Sequence, residues 1–573
     1  IDMKKNKLYT FVATTILATG LVSCGDSFLT EEPASSVPIT GYYTDDAKMV
    51  EAMAAAYDPM QWFDYYNGWF PLNLAWDAGS DDIYPGGGDT SDQGYLHEIS
   101  WYGCSPTNDI KGAWTVAYSG INRSIRLMDN AEAANISEAD KKAYNAEGRV
   151  LRDWYYLVLW KTWGNVPFYT ENLTFPYIAE QLKADEVYNN MVTDLEDVLA
   201  SNILPMKRDL AWAGRMTQAA AAMIYADYVM YQKDESRYSK ALGYMKDIIA
   251  SGQYKLVTDY DDLFAYATEW SDEIILDINY ISAGGKRGWG NAGACGGTVI
   301  PAMIGVDGLN YVGGLDTGHG PYTEFEGGWG FCVITKDAYD AFEPGDIRRD
   351  VAVLNIDTYQ EEMMNKGIAV NYTGRYQNTG YFLRKYLGRP GGKADQAGDA
   401  DLNWENNFHL YRYAETLLNA AELAWRTNSG EAQSYFDQVR DRAGLGSKAI
   451  SEEAIMQERR VELLGEGKRY FDLIRFGKAS TVLTPGGGAI YETKDEHRYV
   501  YTDGTITDEK KKGEVKTDEN GKPINLAIGG TLKWTERGKA IPQRPQWTEN
   551  KKYLPIPQIE IESSHGATVQ NPY

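Results

Sequence analysis

The stretch NLAWDAGSDDIYPGGGDTSDQGYLHEISW, residues 73–101, gathers Trp76, Asp77, Asp81, Asp82, Tyr84 and Trp101 around runs of glycine. Indole and phenol rings offer flat apolar faces that suit the faces of sugar rings, and carboxylates pair with hydroxyls. Such a set fits an extended, neutral chain and needs neither a perturbed acid nor a metal. The same residues also serve structure. Trp76 follows the apolar PLNLA and fits a core position, and Asp81 or Asp82 fits an N-cap or Asx turn ahead of Ile83.

Catalytic patterns are sparse by comparison. Glycoside hydrolysis needs two carboxyl groups roughly 5–10 Å apart across a bond. Asp81/Asp82 and Glu324/Glu326 are too close in sequence to face each other in that way. His97-Glu98 does not extend to HExxH, because position 101 is Trp, and neither a GxSxG elbow nor a GxxxxGK[ST] loop occurs. The five histidines are scattered singly, and no CxxC pair suggests zinc or redox chemistry. Binding without catalysis, cofactor or metal is the expectation.

Amphipathic helices are the elements available to hold such a surface. In GRVLRDWYYLVLWKTWGNVPF, Leu151, Trp154, Tyr155 and Val158 fall on one face, and Pro167 closes the segment. TQAAAAMIYADYVMY (217–231) is Ala-rich and is followed by a second helix ending at Gly252. HLYRYAETLLNAAELAW places Leu410, Ala414, Leu417 and Ala421 on one stripe, and EAQSYFDQVRDRAG follows. Paired helices with small residues between them predict a mainly α, tetratricopeptide-like repeat scaffold without a strict period. Residues 284–330 contain sixteen glycines in forty-seven positions, so they form loop surface and not a hidden helix. Residues 482–550 are polar and read as an insertion.

A net charge of −25 over 573 residues argues against nucleic acid and anionic bilayers as partners. At the amino end, Lys4, Lys5 and Lys7 precede an apolar run from Leu8 to Val22, shorter than the roughly 20 residues of a membrane span. The run ends in Leu21-Val22-Ser23-Cys24, which resembles a bacterial lipobox. Diacylation of Cys24 would anchor the chain stably, as one acyl chain would not. The expected organisation is a signal peptide (1–23), a lipidated tether (24–40) and a single domain (41–573). That domain carries loop insertions near 77–108, 284–330 and 482–550. With Cys24 lipidated, Cys104, Cys295 and Cys332 allow at most one disulfide.

Several motifs together resemble the SusD/RagB family of outer-membrane glycan-binding lipoproteins over nearly the whole chain. They are the lipobox, residues 148–168, LYRYAETLLNAAEL (410–423), VRDRAGL (439–445), ERRVELLGEGKRYFDLIRFGK (458–478) and YLPIPQIEIESSHGATVQNPY (553–573). Read from their residues alone, the last two are structural. Arg459, Arg460, Glu462, Glu466, Arg469 and Asp472 are spaced to pair along a helix. Pro555 and Pro557 exclude a central strand, leaving a terminal segment laid against the helices.

The resemblance implies about four helix pairs and a non-catalytic surface protein facing outward from a Bacteroidetes-like outer membrane. Such a protein delivers oligo- or polysaccharide to a SusC-like TonB-dependent barrel. A peptide-binding lipoprotein and a glycoside hydrolase are the alternatives. It further implies that a mid-chain loop faces the 73–101 loop across the ligand. Trp289, Asn291, Tyr311 and Trp329 are thereby expected on the opposing wall, with Cys295 lining it.

Overall fold

The computed structural model describes residues 42–483, 499–501, 526–528 and 544–573. Within the first range, 65–70, 109, 291–295, 314, 317–319, 322, 367 and 394–395 are outside the description. Helices dominate: α1 (Asp46–Tyr57), α2 (Leu72–Ala78), α3 (Lys111–Ala133), α4 (Glu138–Trp163), α5 (Ala184–Ser201), α6 (Gln218–Gln232) and α7 (Tyr238–Ala250). They are followed by α8 (Tyr413–Arg426), α9 (Ala432–Arg442), α10 (Glu452–Glu462), α11 (Arg469–Arg475) and α12 (Gln558–Ser563). From α3 to α9 each helix packs against the next in order, which is the stacking of a helical repeat.

Local sequence explains these boundaries. Ser137, Thr217 and Ser451 cap α4, α6 and α10 by accepting the backbone N–H three residues on. Gly120 of α3 lies directly over the Tyr155 ring of α4, so any side chain there would collide with it. Ala219, Ala220, Ala221 and Ala226 are fully buried and let α6 pack closely on its neighbours. The single apolar face read in α4 is an underestimate. Residues 150–157 are buried without a break, because α4 lies between α3 and the following pair.

Short antiparallel ribbons join the helical blocks: β1 (Ile83–Gly86), β2 (Ile274–Ile278), β3 (Asn310–Gly313), β4 (Phe331–Ile334), β5 (Ile368–Asn371) and β6 (Phe408–Arg412). They pair as β1–β4, β2–β6 and β3–β5. Leu410 therefore belongs to a strand and not to the helical stripe that its spacing suggests. The last segment lies against α4: Leu554 N–H donates to the Thr162 carbonyl at 2.8 Å, and Trp163 Nε1–H donates to the Pro555 carbonyl at 3.2 Å.

The charged run 458–478 does not form one helix. Gly465 and Gly467 adopt φ of +78° and +74°, which breaks it between α10 and α11. Asp472 does pair within the run, with Arg475 on the same helix and with Arg459, but Glu462 and Glu466 reach across the fold. Glu462 receives Arg348 (2.9 Å), Arg412 (3.0 Å) and Arg442 (2.6 Å), and all four side chains are buried. Glu466 receives Arg412 and Lys385 at 2.8 and 2.7 Å. Burial alone would raise the Glu466 carboxyl, but those two cations hold it at about 2.

Candidate functional site

The 73–101 loop turns most of its chemistry inward. Trp76 is stacked on Tyr470, with centroids 5.3 Å apart at 19°, and is buried. Asp77 accepts the Gly467 N–H at 2.8 Å, and burial pushes its carboxyl well above the usual range. Asp81 receives Arg469 through two bonds, at 2.8 and 2.9 Å, and Asp82 receives Arg460 at 2.7 Å. Tyr84 is buried in β1 opposite Val333. Arg544 completes the interior by donating to the Ala78 and Ser80 carbonyls. These five candidates hold α10, α11 and the carboxy-terminal segment to the loop and offer no face to a ligand. The arginines that claim the acids lie 378 and 388 residues away, so the local pattern carries no sign of them.

Residues 284–330 do the opposite. Trp289 is 57% exposed, and its ring lies 5.9 Å from that of Trp329, inclined at 34°. Its indole N–H donates to Asp399 Oδ2 at 2.7 Å, which fixes the ring where no core packing does. The backbone beneath is pinned by buried Arg287, which reaches Asp64 at 2.7 Å and the Gln61 carbonyl at 2.6 Å. Trp329 is half-buried on a rigid turn, with its N–H donating to the Ala302 carbonyl at 2.7 Å. Gly305 and Gly328 make that turn possible, since a methyl on Gly305 would stand 2.7 Å from Gly328 Cα.

Charged side chains connect to the two tryptophans through Asp399 and Gly330. Lys393 pairs with Glu326 at 3.0 Å and with Asp401 at 3.2 Å, and the Asp401 N–H donates to Asp399. Arg375 packs against Gly330, next to Trp329, and approaches Asp92 and Asp307 at 3.5 and 3.7 Å. Gly87 N–H donates to the Gly330 carbonyl at 2.9 Å, so the outer part of the 73–101 loop does reach the mid-chain loop, through residues 87–92. Arg375, Asp399 and Lys393 were missed at the sequence level. They stand alone in polar stretches, and only the fold brings them to the tryptophans.

Tyr311 supports from behind. Its hydroxyl accepts the Phe325 N–H at 3.1 Å and meets Tyr359 at 3.0 Å, and burial raises it to about 12. Trp101 is half-buried against His97, with centroids 5.5 Å apart, and His97 in turn packs on Tyr376 at 5.7 Å, beside Arg375. Asn291, Cys295, Cys24 and most of 482–550 lie outside the described residues. Cys104 and Cys332 are buried, and neither forms a disulfide among the described residues. Among the described residues, no group of three or more His, Cys, Asp or Glu is placed to hold a metal, and no helix is long and apolar enough to cross a membrane.

The arrangement is a pair of inclined indoles with acids and cations at hand, built to stack rings and pair hydroxyls. Comparison with known proteins gives a consistent picture. The SusD family model matches residues 225–573. A SusD-like protein of Bacteroides ovatus is 25% identical over 492 residues, covering 82% of each chain. Surface glycan-binding protein A of Bacteroides thetaiotaomicron, solved in complex with laminarihexaose, is 38% identical, with a TM-score of 0.75 over 92% of this chain and all (100%) of that one. A laminarin-binding SusD-like protein is 27% identical, with a TM-score of 0.74 over 92% of this chain and 100% of its own.

Proposed function

The chain belongs to the SusD family, and from that premise we propose that it is a non-catalytic cell-surface receptor for a laminarin-type glucan. It captures the glucan on the Trp289–Trp329 platform and delivers it to a SusC-like TonB-dependent barrel. One observation carries the reading: Trp289 stands exposed with its ring locked by Asp399 beside Trp329, on a chain that spans the whole of a laminarihexaose-bound relative. An inclination of 34° between the rings suits a glucan that curls, whose successive residues turn relative to one another.

The acids nearby support binding over cleavage. Glu326 and Asp401 share Lys393, Asp92 and Asp307 face Arg375, and Asp399 holds Trp289. Each of these acids is engaged by a cation or by the indole, whereas glycoside hydrolysis needs two carboxyl groups set across the scissile bond. Acylation at Cys24 and a tether over 24–40 complete the proposal by fixing the domain to the outer leaflet.

Affinity electrophoresis against laminarin, starch, fructan and hemicellulose tests it. Retardation by laminarin, without release of reducing ends on prolonged incubation, is expected. Indifference to every polysaccharide, or depolymerisation of the bound one, overturns it. Replacing Cys24 is expected to release the protein from membranes with its solution affinity intact.

A further inference from the structure

A second cleft, of about 300 Å³, opens between α3, the loop of residues 169–179 and the carboxy-terminal residues 560–568. That volume is at the lower end of small-molecule sites, which span about 300–1,000 Å³. One wall is aromatic. Tyr118 and Tyr169 are stacked at 6.1 Å and 15°, both half-buried, and Tyr177 at the mouth is 68% exposed. Tyr177 stands edge-on to Phe175, which is 85% exposed. Large aromatics left in solvent on one loop mark a place of contact.

The other wall is polar. Glu560 and Ser563 of α12 line it, with Thr568 beyond them. Burial raises the Glu560 carboxyl, and the Trp114 indole N–H holds it in place. The lining contains neither lysine nor arginine, so nothing there would neutralise a carboxylated or sulfated ligand.

We propose that this cleft is a second saccharide site, taking one or two pyranose units of a neutral glycan. Ring faces lie against Tyr169 and Tyr177, and hydroxyls pair with Glu560 and Ser563. It shares no residue with the platform, whose rings and flanking charges come from 289–329 and 375–401. Two sites on one receptor raise the avidity for a polymer that reaches both.

The test uses the whole mature protein, titrated with laminaribiose, cellobiose and maltose and followed by saturation-transfer NMR. Trp289→Ala, which removes the platform, is expected to retain saturable binding of at least one disaccharide. Adding Tyr177→Ala or Glu560→Gln to that variant should weaken it at least tenfold with an unchanged circular dichroism spectrum. Absence of saturable binding in Trp289→Ala, or binding indifferent to the second substitution, overturns the proposal. So does a Trp289→Ala/Tyr177→Ala protein that binds disaccharide as well as Trp289→Ala does but no longer co-purifies with an outer-membrane barrel, because the cleft is then a protein dock. Laminarin retention by the unsubstituted protein is scored separately, so loss of this site leaves the platform reading standing.

Discussion

Trp76 and Trp289 mark two regions that share glycine punctuation and clustered acids and differ in what answers those acids. Around Trp76, Asp81 and Asp82 are met by Arg469 and Arg460, and the whole cluster is buried. Around Trp289, Asp399 is met by the indole itself, and the ring stays in solvent. Such a loop thus keeps its rings in solvent where an acid is met by a ring's own polar edge. Where distant cations claim the acids, the same residues become a clasp between chain segments.

The sharpest way to break this contrast is to remove one acid from the buried region. Asp81→Ala takes both hydrogen bonds from buried Arg469 and leaves Asp82, 4.0 Å away, as its nearest acid, while Arg460 keeps Asp82 and Asp337. Breaking a buried pair in this way costs about 3–5 kcal/mol. Urea unfolding should show that loss, while laminarin affinity of the protein that remains folded is unaltered.

Acid should reach the same interior next. Glu466 titrates at about 2 when folded, against an ordinary 4.5. A folded value below the unfolded one means that its stabilisation is complete above pH 4.5 and is lost as pH falls from there towards 2. The amount at stake is about 3 kcal/mol. Glu466→Gln should flatten that part of the stability–pH curve.

On the exposed side, Trp289→Ala should cost about 1–3 kcal/mol of glycan binding, as stacked aromatics do. The thermal midpoint should stay close to that of the unsubstituted chain, and a falling midpoint would move Trp289 into the same class as Trp76. The smallest effect belongs to Asp399→Ala, which removes the hydrogen bonds from the indole and from the Asp401 N–H, each worth about 0.5–1.5 kcal/mol. Its signature is a lower fluorescence anisotropy from a freed indole together with a modest loss of affinity.

What could be read from sequence follows the range of the interactions involved. The helix that starts after Thr217 and its close, Ala-rich packing depend on neighbours a few residues away, and they were legible, whereas the starts at Ser137 and Ser451 went unread. So was the surface character of 284–330, because glycine cannot supply a core. The fate of Asp81 was not, since its arginine lies 388 residues further on. Nor was the break at Gly465 and Gly467, which turned an expected helical ladder of charges into the buried cluster around Glu462. At the platform, the rings were nameable from their glycine surroundings. Arg375 and Asp399 were not, because only tertiary approach gives them a role.

The abutting backbones at Gly305 and Gly328 have an evolutionary corollary. Neither position admits a methyl, so drift cannot reshape the bed on which Trp329 sits without prising two turns apart. Redirecting the proposed platform therefore means changing what is hung on an unchanging bracket, at positions such as 289, 375 and 399. Engineers wishing to redirect the receptor inherit the same rule.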